Sequence, residues 1–283
     1  GSDGDDYALL GNPYPSNLSI SNFLSLSSTN AAVIENAVYI WSDHAIDFNN
    51  NGGYFVINNS GLVTSPSLQN TSPSSSAIAP VQGFCVQLVS SSSGPINFDN
   101  NQRAAGNSSF SKTDPAEYAW LSLAHESGTG NQVVVGLKDQ AVAGYAQGED
   151  SPCLKMSSTM EVYVTDPAKD LTIEYRPKPA QSVDYVPLGL DAWATGTYTF
   201  ALDSTRNWDG AVPVMLLDSM LGQVVDLHQT GYTFNVNFAG PIRDRFYLVL
   251  DGATVGEEEL TTEDGSWYWY QGDNQLHVEG AAA

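Results

Sequence analysis

The chain has 283 residues, 42% of them hydrophobic and only 15% charged, and its 10 basic against 32 acidic side chains give a formal charge of −22. That length holds two ordinary domains with a core each, and the apolar share excludes a disordered chain. The acidity excludes nucleic acid and anionic membrane surfaces as partners, since both repel such a chain.

Short runs rich in Val, Ile, Tyr, Phe and Thr alternate with Gly, Asn, Asp, Ser or Pro clusters, which is the pattern of antiparallel sandwiches. From the N-terminus the predicted strands are YALLG (7–11), AVYIWS (37–42), GYFVIN (53–58), FCVQLVS (84–90) and PINFD (95–99). NLSISNFLSL (17–26) is predicted to hold a helical turn or two, capped by Asn17 or Ser19. The Ser-, Asn- and Pro-rich stretch 64–80 reads as a surface loop, and AGNSSFSKTDPAE (105–117) as a linker.

A second series follows at a spacing of about ten residues: YAWLSLAH, QVVVGL, MEVYVTD, LTIEYRP, DYVPLGL, GTYTFALD, VPVMLLD, QVVDLH, YTFNVNF and RFYLVLD. Alternation in TYTFALD puts Tyr198 and Phe200 on one face and Thr197, Thr199 and Ala201 on the other. After an acidic linker, SWYWYQGDNQLHVEG (266–280) reads as a hairpin turning through Gly272, Asp273 and Asn274. The expected fold is therefore all-β: two antiparallel sandwiches of jelly-roll or immunoglobulin-like kind, at 1–110 and 111–252, with the start of a third β unit at 253–283.

Two cysteines, Cys85 in a strand and Cys153 in a loop, are too few for a disulfide scaffold. A bridge between them is compatible with an oxidising compartment. No window approaches the ~18 apolar residues of a membrane span. Lacking an initiator Met and a signal peptide, the chain is expected to be a mature or excised segment.

GNPYPS (11–16), the Trp-bearing YIWSD, GGY, IAPVQGF and FDNNQR occur in that order. Together they resemble a recurrent module in large surface proteins of bacteria with a type IX secretion system. AWLSL, VVVGL, VPLG, GTYTF, YTFNV and DRFYLVL resemble the module that follows it, and DNQLHVEG resembles the first strands of a C-terminal sorting domain. The loop AGYAQGEDSPCLK (143–155) departs from the GYDxGYD loop of such proteins, so no ligand role is carried over to it. The prolines of GNPYPS hold Asn12 and Tyr14 extended, which makes a rigid corner with Tyr14 packed beneath.

DFNNNG (47–52) matches the start of a calcium loop, with Asp47, Asn49 and Asn51 at alternate positions and calcium as the candidate cofactor. Position twelve of that loop is Asn58, where a bidentate Glu is the usual ligand, and GGYFVIN reads as a strand. Trp193 and Trp208 lie in loops beside Asp191 and Asp209, as a sugar-stacking site would require. Trp41 and Trp120 are expected in the core. Catalytic patterns are lacking: there is no GxSxG, and His44, His125, His228 and His277 show no metal spacing.

The resemblance implies O-glycosylation at Ser204 and Ser219, which stand in Asp-Ser-Thr and Asp-Ser-Met triplets. Four consecutive aromatics in SWYWYQ need cover on both faces of a strand, which marks Trp267 and Trp269 for an interface. The expectation is a non-catalytic structural or adhesive segment of a secreted cell-surface protein, whose partners are other surface proteins, copies of itself or glycans. A carbohydrate-binding module of a polysaccharide-degrading enzyme is the alternative, and a hydrolase with paired carboxylates is a more distant one.

Overall fold

The computed structural model describes residues 7–25, 27–42, 53–64, 76–89, 94–105, 116–128, 130–155, 160–178, 183–208, 213–251, 267–272 and 275–280. Among them the chain is all β, with 21 strands and a single four-residue α-helical turn. The expected boundary at 110/111 and the acidic linker lie outside the described residues.

β1 (Tyr7–Gly11) and β2 (Asn17–Ser19) flank the GNPYPS corner, and the helical turn Ile20–Phe23 follows. Ser19 caps that turn, its Oγ accepting from the Asn22 amide at 3.3 Å. β3 (Val38–Ser42), β4 (Gly53–Ile57), β5 (Val63–Thr64), β6 (Ala77–Ile78), β7 (Gly83–Gln87) and β8 (Arg103–Ala104) complete the first unit. Five strands form an antiparallel sheet in the order β1-β7-β3-β4-β5, and β6-β2-β8 form a small second sheet. Leu18 and Ile78 of the small sheet share one core with Val38, Ile40, Phe84 and Val86 of the large one.

Asn12 explains the corner. Its amide donates to the Ser16, Ile78 and Ala79 carbonyls at 2.9–3.1 Å, and its Oδ1 accepts from the Tyr14 amide at 3.0 Å. Tyr14 then meets Phe98 edge to face at 6.4 Å, and the Arg103 guanidinium lies over its ring at 5.7 Å. The expected strand PINFD is absent. The Asn30 side chain bonds both backbone groups of Asn97, at 2.8 and 3.0 Å, and Asp99 and Gln102 form a capping box over the 3₁₀ turn Asn100–Gln102. The Asn30 side chain satisfies Asn97's backbone, so it needs no partner strand.

The second unit comprises β9 (Glu117–His125), β10 (Gly130–Leu137), β11 (Ser151–Pro152), β12 (Glu161–Val164) and β13 (Leu171–Arg176). It continues with β14 (Val183–Ala192), β15 (Gly196–Arg206), β16 (Met215–Asp218), β17 (Gln223–Asp226), β18 (Tyr232–Val236) and β19 (Gly240–Asp251). All belong to one sheet, ordered β17-β16-β19-β14-β12-β13-β10-β9-β15-β18, with β11 beside β13. Every pairing is antiparallel except β10 with β13.

The sheet curls until its two ends meet. Tyr232 of β18 donates its hydroxyl to Asp218 of β16 at 2.7 Å and lies 3.3 Å from Gln223 of β17. Inside the curl, Phe246 touches Phe200 and Phe234 at centroid distances of 5.1 and 4.6 Å. Tyr198 and Phe200 face this core, as their alternation predicts. The central strands are covered on the outside as well: Tyr118, Val134, Ile173 and Tyr175 pack with Leu62 of the first unit. Burial on both faces is why QVVVGL is nearly continuous in apolar residues.

β20 (Trp267–Gly272) and β21 (Gln275–Gly280) form the predicted hairpin, in register from Trp267↔Gly280 to Gly272↔Gln275. Their side chains lie outside the described residues.

Candidate functional site

The two units meet along a seam of hydrogen bonds and buried charge. The divergent AGYAQGEDSPCLK stretch, which runs from the loop after β10 through β11, lies against the segment leading into β3. Asn36 donates to the Glu149 carbonyl at 2.8 Å, Ser151 to the Asn36 carbonyl at 2.8 Å, and Gln147 to the Ala31 carbonyl at 3.1 Å. Tyr39, fully buried, donates its hydroxyl to the Pro152 carbonyl at 2.9 Å. Further along, Trp120 donates to the Val63 carbonyl at 3.0 Å, and Asn58 to the Tyr175 hydroxyl at 3.3 Å.

Charge is buried in this seam. The Glu35 carboxylate, whose side chain has 0% exposure, accepts from Lys169 at 2.7 Å and from the Tyr145 hydroxyl at 2.6 Å. Burial, with Glu35 beside it, pushes the Tyr145 phenol well above its usual range. Asp150, also fully buried, accepts from the Ala146 and Tyr175 amides at 2.6 and 2.7 Å, which fastens the loop to β13. Burial raises its pKa to about 7 against the pull of those amides, and Glu174 and Glu149 push it the same way. Glu174 is likewise raised to about 7 by burial, although Arg176 donates to it at 2.8 Å. Its Oε2 is buried and has no hydrogen-bond partner among the described residues. Arg176 also grips Asp184 with two bonds, at 2.8 and 3.0 Å.

Beside the seam lies a polar pocket of about 290 Å³ between Gln87 of the first unit and Lys155, Lys169, Asp170 and Arg243 of the second. Two of these cations lie over the Tyr163 ring, Lys155 at 3.6 Å and Arg243 at 5.2 Å from its centroid. Gly189 makes room for that ring, since a Cβ there would sit 2.3 Å from Tyr163 Cε2. Each cation already has a carboxylate: Lys169 holds Glu35, Lys155 bridges Asp170 and Asp191, and Arg243 clamps Asp170. The pocket gathers 3 of the chain's 10 basic residues and commits them to internal pairs. Cys153 on its wall is a buried free thiol, pushed well above the usual range by burial; Cys85 is free as well.

The predicted site residues fall elsewhere. Asp47, Asn49 and Asn51 lie outside the described residues, as do the side chains of Trp267 and Trp269. Among the described residues no group of three or more His, Cys, Asp or Glu is placed to hold a metal. Trp193 and Trp208 are half-buried and pack on the core of the second unit. They precede and follow the 11-residue strand β15, which separates them. Trp193 meets His125 edge-on at 5.6 Å, and its buried Nε1 has no hydrogen-bond partner among the described residues.

Ser204 is exposed on β15. Ser219 is exposed too, but it donates to the Arg245 carbonyl at 2.9 Å, beside an Asp218 that is fully buried against Arg245. Trp120 is half-buried in the seam, whereas Trp41, expected in the core, is 49% exposed and stands edge-on to Tyr54 at 5.1 Å. Trp41 sits near the end of β3 on the face that the second unit covers only in part.

Sequence reasoning missed Glu35, Tyr145, Asp150 and Lys169. One signal was available: Glu35 stands inside AAVIENAVYIW, and an acid amid so apolar a run demands a buried partner.

No curated protein and no solved structure matches the chain. One family model does, across residues 1–250, which takes in both units and stops short of the hairpin. The chain therefore belongs to the family described as a domain of unknown function, DUF8693.

Proposed function

We propose that this chain is a non-catalytic, structural and adhesive segment of a large bacterial protein displayed at the cell surface or secreted by the type IX route. The observation that carries the reading is the seam. Buried hydrogen bonds and the Glu35–Lys169 pair lock the first unit onto the outer face of the second. A linker that lets domains swing leaves few contacts across a boundary; a spacer that transmits position needs the opposite. The cations of the pocket are spent on internal ion pairs, which favours a fixed shape over exchangeable ligands. Composition points the same way, with little surface charge of basic sign and polarity carried by small neutral residues.

The test uses the source cells. Antibody against the chain should label intact cells, and attachment to surfaces should fall in a strain whose copy carries Glu35→Ala, a change that alters no exposed residue. Antigen confined to the cell interior, or undiminished attachment with a loosened seam, overturns the reading.

A further inference from the structure

The ion pair in the seam joins an amine to a carboxyl group in an almost dry place. Lys169 Nζ lies 2.7 Å from Glu35 Oε1, with side-chain exposures of 12% and 0%. In the other lysine–carboxylate pairs described, the lysine is 29–40% exposed. Asp170 is shared between Lys155 and Arg243, so a permanent cation stays on it whatever the lysine does. Glu35 differs, because its second oxygen accepts from a neutral group, the Tyr145 hydroxyl, at 2.6 Å. Burial, with Glu35 beside it, holds that phenol well above its usual range, so it stays protonated and keeps donating.

Three physical conditions for an amide bond therefore coincide. The reacting groups are held together by the fold, which removes the entropy cost of bringing them into contact. A fixed donor stands at the oxygen where charge would develop during attack on the carboxyl carbon. Two charges taken out of water carry a desolvation penalty, and joining them as a neutral amide removes both.

We propose that Lys169 and Glu35 condense into an isopeptide bond that joins the two units covalently. A proton passes from the ammonium to Oε1 along the existing hydrogen bond, which frees the lone pair on Nζ. That pair attacks Cδ; the C–N bond forms, and the carbonyl electrons move to Oε2, where Tyr145 donates. A second proton from the nitrogen goes to Oε1, the Cδ–Oε1 bond breaks, and water leaves through the polar pocket that Lys169 lines. One ammonium and one carboxylate become one neutral amide and one water, so net charge is unchanged and no co-reactant is consumed. The ion pair is the starting state, and the bond accumulates as the folded chain ages. The chain reacts once with itself, wherever it is displayed, so this inference stands or falls separately from the surface reading.

Intact mass of the purified full chain, followed during storage at neutral pH, tests it. The wild type should become lighter by the mass of one water molecule. A digest should then contain one branched fragment joining the chain around Glu35 to the chain around Lys169. Lys169→Arg keeps the positive charge, but a guanidinium does not condense in this way, so that variant should hold the full mass of its sequence. Tyr145→Phe removes the donor at Oε2 and should react about 100-fold more slowly. A wild type that keeps its full mass throughout overturns the proposal, as does a loss of water that persists in Lys169→Arg or maps to other residues. Equal rates in the wild type and Tyr145→Phe overturn the role given to Tyr145.

Discussion

Removing the charge of Glu35 tests the seam at its most committed point. In Glu35→Gln the Lys169 ammonium, on a side chain only 12% exposed, loses the carboxylate it meets at 2.7 Å, and the Tyr145 hydroxyl loses a charged acceptor. Breaking one half of a buried ion pair costs about 3–5 kcal/mol. Lys169→Met strands the carboxylate instead, and its cost should be similar. The double variant leaves neither charge unpaired, so its cost should fall well short of the sum, giving a coupling of about 2–3 kcal/mol. Urea unfolding at neutral pH measures all four proteins, and a shifted midpoint at constant slope identifies a change in stability alone. The coupling should persist in high salt, because a buried pair is screened far less than an exposed one. Single costs that add to within about 0.5 kcal/mol would refute the reasoning.

Asp150 and Glu174, both with folded-state pKa raised to about 7, bind protons more tightly folded than unfolded. The stability they confer is complete below the usual carboxylate range and is lost as pH rises through about 7. Urea midpoints should therefore drop between weakly acidic and weakly alkaline buffer, and Glu174→Gln should flatten that slope; a midpoint rising over the interval contradicts the account. Val81 holds a φ of +64° while 84% exposed, a conformation that penalises a β-branched residue. Val81→Asn should raise stability by roughly 1 kcal/mol, visible as a higher thermal midpoint. Phe246→Ala removes the ring on which Phe200 and Phe234 converge, and calorimetry should show a loss of about 3–5 kcal/mol.

Much of the architecture was legible because strand periodicity is a local signal. TYTFALD announced its inward face by alternation, and the pairing of WYWYQG with QLHVEG followed from two strand-like runs close together in sequence. PINFD misled because its composition suits a strand, while the group that satisfies Asn97 is the side chain of Asn30, 67 residues away. Trp41 misled for a related reason: a strand residue's face is clear from alternation, but what covers that face is decided by another unit. The seam was hidden most completely. Glu35 and Lys169 are 134 residues apart, and nothing local to either names the other. The loop that bridges the units was visible only as a departure from a known pattern. Its chemistry appears once Tyr145, Asp150 and Ser151 are placed against β13 and the entry to β3.

A seam of buried hydrogen bonds and a buried ion pair should make both units unfold as one body. Native-state unfolding in urea, followed separately at the Val86 amide in the first unit and the Leu248 amide in the second, tests it directly. One shared midpoint at both positions is the predicted result; a first unit that melts at lower urea while the curled sheet stays intact would contradict it.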